Sequence, residues 1–68
     1  MSIDDRATTV ATIRQKIAHL HFMANDSKKE AAKPMSQGSK GYYEGRDVAF
    51  RYSADTLVSI LELMGEKP

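Results

Sequence analysis

The sequence has no cysteine and no tryptophan, and it has only two prolines among 68 residues. Without cysteine the chain forms neither a disulfide nor a thiolate metal site, and it offers no thiol nucleophile. Its apolar runs fall far short of the roughly 20 residues that cross a bilayer, so we expect no membrane segment. The sequence also lacks an excess of either positive or negative charge. The net charge is +1, which gives no global signature of nucleic-acid binding.

What is present is an ordinary globular composition, with 41% apolar and 28% charged residues. A chain of this length buries only about 60% of its unfolded surface, so the core must be small. We therefore expect one small domain, with no room for separate cofactor and substrate domains.

The first segment predicts a helix over residues 3–24, capped by Ser2. Its apolar residues recur at spacings of three and four, which places them on one stripe. They are Ile3, Ala7, Val10, Ile13, Ile17, Leu20 and Ala24. The stripe is narrow and close to a heptad repeat, which is typical of a helix that packs on a partner helix or on another subunit.

Residues 25–40 predict a polar connection. Ser27 and Glu30 have the spacing of a capping box, so a short helical turn is expected there, ending before Pro34. Positive charge concentrates in this segment, because residues 27–40 hold four lysines and one glutamate, a net charge of +3. Lys28, Lys29, Lys33 and Lys40 are candidate contacts for phosphate or an acidic partner.

Residues 41–52 predict a β-hairpin. Val48, Phe50 and Tyr52 alternate with polar or small residues, which is the period of a half-buried strand. Gly45 would supply the positive φ of the turn. Two registers remain open, since a two-residue turn buries Tyr43 and a three-residue turn buries Tyr42.

The last segment predicts a helix over residues 54–64, capped by Ser53 and ending before Gly65. This helix is apolar around more of its circumference than a small core requires, notably at Val58 and Leu63. Excess apolar surface usually indicates a partner. We expect a protein interface at Val58, Leu63, Tyr42 and Arg51.

The order of these elements predicts the α+β class: an N-terminal helix, a β-hairpin and a C-terminal helix in one two-layer domain spanning residues 1–68. An isolated hairpin is marginal in water, so it would lie against the helices.

No catalytic or metal-binding arrangement is evident in the sequence. His19 and His21 are two residues apart, whereas zinc ligands on a helix need spacings of three or four. The serines are explained as helix caps, and the glycines do not have the spacing of a phosphate-binding loop. We expect no enzyme activity, no cofactor, no metal and no small-molecule substrate.

The segment from Gly41 to Met64 resembles the gpW-like head-completion proteins of tailed phages, which join head to tail. The match rests on a hairpin pattern and on a capped helix. Its residues are Gly45, Arg46, Val48 and Phe50 in the hairpin, and Ser53, Leu57, Ile60 and Leu61 in the helix. The first helix agrees in length and apolar stripe, while the connection is longer than the family leads us to expect.

The resemblance implies an adaptor subunit of the virion, made in the host cytoplasm. It would form a homo-oligomeric ring below the portal and contact portal and tail-connector proteins, with DNA contact as a further possibility. The alternative is a small nucleic-acid-binding or host-takeover protein that uses the basic region 28–51. An inhibitor that docks on an enzyme is neither supported nor excluded by the sequence.

Overall fold

A computed structural model describes residues 3–67, which form two α-helices joined by a short turn. Helix α1 spans Ile3–Ala31, 29 residues, and α2 spans Gln37–Leu63, 27 residues. The helices pack against each other as an antiparallel hairpin that measures 51 × 16 × 15 Å. The radius of gyration is 15.3 Å, against about 11 Å for a compact domain of this length. The chain is therefore a rod.

The predicted α+β class is wrong. Residues 41–52, expected to form a β-hairpin, lie inside α2, and no residue between 3 and 67 belongs to a strand. The two-layer arrangement is absent with it, and Ser53 lies within α2 rather than at a helix cap. Most of the predicted connection is helical as well, because α1 continues to Ala31 and α2 begins at Gln37.

A heptad repeat along α2 explains this difference. Spacings of four and three continue without a break from the segment read as a hairpin into the C-terminal helix. The positions are Tyr43, Asp47, Phe50, Ala54, Leu57, Leu61 and Met64. The strand-like alternation covers only residues 48–52, and so short a run does not distinguish strand from helix. One long helix keeps every repeat position beside α1.

The turn between the helices uses local capping. At the end of α1, the amide of Ala32 donates to the carbonyls of Lys28 and Lys29, each at 3.2 Å. Pro34 follows within the turn, where its missing N–H costs nothing. Ser36 is the N-cap of α2, and its hydroxyl accepts from the Ser39 amide at 3.2 Å.

The end of α2 is closed by glycine, as expected from the sequence. Gly65 has φ 79°, the left-handed conformation that suits glycine. Its amide donates to the Glu62 carbonyl at 3.0 Å, and the Glu66 amide donates to the Leu61 carbonyl at 2.9 Å. This pair of bonds is the Schellman motif. The cap expected for α1 at Ser2 lies outside the described residues.

Polar contacts between the helices fix the register at two places along the hairpin. Close to the termini, Arg6 donates to the Met64 carbonyl, and Arg14 donates to the Lys67 carbonyl at 2.9 Å. Nearer the turn, Arg51 donates to the side chains of Asn25 at 2.9 Å and Asp47 at 2.7 Å. Because their partners are fixed positions on the other helix, Arg6 and Arg51 oppose a sliding of one helix past the other.

The core is thin and rich in alanine. Its buried apolar side chains are Val10, Ile17, Ala24, Ala31, Ala54 and Leu61. Ala24 and Ala54 are fully buried, so small side chains line the middle of the interhelical seam and allow the helix axes to approach closely. Leu61 is the large side chain that is buried completely among the described residues. Such a core leaves the isolated hairpin marginal.

Replacing Gly41 or Gly45 with alanine tests whether residues 41–52 form a helix or the predicted hairpin. Nothing lies within 4 Å of a Cβ built at either position. Alanine should therefore raise the free energy of unfolding by about 0.5–1 kcal/mol at each site. Urea titration followed by circular dichroism measures this change.

Gly65→Ala is the matched control, because φ is positive there. It should lower stability by about 1 kcal/mol. Destabilisation by Gly45→Ala equal to that by Gly65→Ala would contradict a helical Gly45.

Candidate association surface

A row of buried side chains runs along the centre of the interhelical seam. On α1, Val10, Ile17, Ala24 and Ala31 recur every seven residues and are buried. The large apolar side chains that flank this row on one side are only half-buried. They are Ile13, Leu20 and Met23 on α1 and Tyr43, Phe50, Leu57 and Met64 on α2.

These half-buried residues lie on the same side of the hairpin. In an antiparallel pair, equivalent flanks of the two heptad repeats are adjacent, so both sets border the same surface. The opposite flank carries a groove lined by Arg14, Ile17, Ala18, His21 and Val58. We call the surface formed by the seven half-buried residues the open face.

A second heptad row on α2 borders the open face. Its spacings alternate between four and three, as in the seam itself. The row consists of Tyr42, Arg46, Ala49, Ser53, Thr56, Ile60 and Leu63. Tyr42, Ile60 and Leu63 are 59%, 40% and 88% exposed. We call this row the outer stripe; large side chains occupy its two ends and small ones its centre.

Aromatic side chains and an arginine cluster at the turn end of this surface. The Arg46 guanidinium lies 5.5 Å from the centroid of the Tyr42 ring and 5.0 Å from that of Phe50. Arg46 also donates to the Tyr42 hydroxyl at 3.2 Å, and the Tyr42 and Tyr43 rings meet edge to face at 5.2 Å. These contacts hold the side chains in place before any partner binds. Tyrosine and arginine are the residue types that dominate protein-binding hot spots.

The four residues predicted to form an interface have different environments. Tyr42 and Leu63 are exposed on the outer stripe. Val58 is half-buried and packs against the core cluster of Val10, Ile17 and Leu61. Arg51 is half-buried and joins Asn25 to Asp47 within the hairpin. The structure thus brings Tyr42 and Leu63 to one row, while Val58 and Arg51 are half-buried and lie outside that row.

The four lysines predicted to contact phosphate are all exposed near the turn. Lys33 donates to the Glu30 carboxylate at 2.7 Å, and this hydrogen bond raises the pKa of Lys33. Lys28 and Lys40 border a depression that Glu44 and Asp47 also line. Carboxylates therefore accompany three of the four lysines, which weakens the site as an anion-binding surface.

The described residues contain no group of three or more histidine and carboxylate side chains arranged to hold a metal ion. His19 and His21 are exposed. Over residues 3–67, neither helix combines the length and hydropathy needed to span a membrane.

Sequence reasoning missed the outer stripe as a row. Tyr42, Ala49 and Ile60 were divided between a hairpin and a separate helix, so their common spacing was not used. The signal was present in the continuous alternation of four and three from residue 42 to residue 63.

Comparison of the chain with protein-family models, with curated proteins and with solved structures finds no significant match.

Two leucines of α2 distinguish the core from the surface. Leu61 is completely buried, whereas Leu63, two residues further on, is 88% exposed. Leu61→Ala should lower the free energy of unfolding by about 2–5 kcal/mol, because it leaves a cavity in a thin core. Leu63→Ala should change it by less than about 0.5 kcal/mol in dilute solution.

Thermal unfolding followed at 222 nm gives both values. Equal losses from the two substitutions would show that the buried flank of α2 is assigned incorrectly.

Proposed function

We propose that the chain is a non-enzymatic association module that acts by packing its open face and outer stripe against helices of a partner. The observation that carries this proposal is the incomplete burial of large apolar side chains beside the buried row of the seam. Val10, Ile17 and Leu61 are covered within the hairpin, whereas Phe50, Leu57 and Ile60 remain partly or largely exposed.

The total surface supports the need for a partner. The chain exposes 5070 Å², against about 4300 Å² for a compact monomer of its mass. The difference, about 800 Å², is similar to the area that one partner contributes to a standard protein interface. Packing on a second helical element would remove the excess.

Assembly at a phage head–tail junction stays a prediction from the resemblance. The resemblance places Gly45, Val48 and Phe50 in a hairpin. These residues lie on helix α2, so they do not form the hairpin on which the resemblance partly rests. The open face supports the coarser proposal of function by association and does not indicate a virion as its location. Nucleic-acid binding through region 28–51 gains no support, because carboxylates lie among the lysines.

A photo-activated cross-linker tests the proposed surface. Benzoylphenylalanine at Ile60, on the outer stripe, should give discrete adducts when cells that make the chain are irradiated. Benzoylphenylalanine in place of Glu62 is the matched control, because side chains two positions apart on a helix point in nearly opposite directions. Both side chains are exposed.

Adducts from position 60 with few from position 62 would support the proposal, whether the captured partner is another protein or a second copy of the chain. Equal yields from the two positions, or none from either, would contradict it.

A further inference from the structure

We infer that the partner of the open face is a second copy of this chain, with the outer stripes of two α2 helices packed antiparallel across a twofold axis near Ser53. This inference rests on the proposed function and adds the identity of the partner and its orientation. The product is a four-helix arrangement made of two hairpins.

The distribution of side-chain size along the outer stripe favours this pairing. Ser53 lies at its centre, seven residues from both Arg46 and Ile60. Ala49, Ser53 and Thr56 are small, so two helices can approach closely at the centre. Antiparallel pairing then places the Tyr42 end of one copy beside the Leu63 end of the other, so that aromatic rings meet aliphatic side chains.

The distribution of charge favours the same orientation. The turn end is basic, since residues 27–40 carry a net charge of +3. At the opposite end, residues 53–68 carry a net charge of −2, but the Glu66 carboxylate lies 3.5 Å from Arg6 and 3.6 Å from Arg14 of α1, so this end is close to neutral. Antiparallel copies keep the two basic turn ends apart, whereas parallel copies would place lysines beside lysines.

The amount of exposed surface leaves room for a dimer contact. The excess of about 800 Å² per chain matches one side of a standard interface. A twofold contact uses the same patch on both copies and is closed. Phe22, Val48 and Tyr52, which are 66%, 68% and 75% exposed, lie outside this contact. The half-buried Phe50 and Leu57 would complete their burial across this contact.

Because the natural sequence lacks cysteine, single cysteine substitutions report proximity without background. Ser53→Cys places a thiol at the proposed axis, and Ser59→Cys is the matched control at an exposed serine outside the outer stripe. Under mild oxidation, Ser53→Cys should form covalent dimers on the order of tenfold faster, because thiols held together have an effective concentration near the millimolar range. Sedimentation equilibrium of the unmodified chain should give twice the monomer mass at micromolar concentration.

Orientation is tested with two further variants. When Tyr42→Cys chains are mixed with Leu63→Cys chains, mixed disulfides should exceed the disulfides that each variant forms with itself. Circular dichroism of each variant confirms that the helices are retained.

A folded chain that sediments as a monomer, or equal cross-linking rates at 53 and 59, would overturn the second copy as partner. The proposed function would still stand if position 60 captured a different protein in cells. An excess of self-disulfides at positions 42 and 63 would overturn the antiparallel orientation.

Discussion

The antiparallel register of the two helices is the constraint on which the rest of the structure depends. Ala24 and Ala54 are fully buried, and a larger side chain at either position would push the helix axes apart. Arg6 near the termini and Arg51 near the middle of α2 then fix the register, each by a hydrogen bond between the two halves of the hairpin. Each exposed hydrogen bond of this kind contributes little alone. Their role is to select one alignment among several that a repeat of seven residues would otherwise permit.

This register also decides which surface is left open. Once Val10, Ile17 and Leu61 meet inside the hairpin, the neighbouring row on each helix cannot be covered by the other helix, because two cylinders touch along one line only. A third or fourth helix is needed to cover that row. The half-burial of Leu20, Phe50 and Leu57 is therefore a geometric consequence of building the fold from two helices, and it connects the fold to the proposed association.

Parts of this arrangement could be predicted from sequence and parts could not. The apolar stripe of α1, the break at Pro34 and the glycine cap at Gly65 each depend on residues close together in the chain, and the structure has all three. The segment around Gly45 could not be assigned in this way. Glycine there is unfavourable in a helix by about 1 kcal/mol. The helix forms because its heptad positions pack against α1, an interaction between residues far apart in the chain.

The environment of the residues predicted to form an interface also depends on how α2 faces α1. An exposed Leu63 follows from counting apolar residues around one helix, and the structure places it on the outer surface. Assigning Val58 to the inside requires knowing which flank faces α1, and that depends on the register. A helix with two adjacent heptad rows has two candidate partners. In α2 the first row is occupied by α1, so the second row is the surface on which an additional helix, from a second copy or another protein, has room to pack.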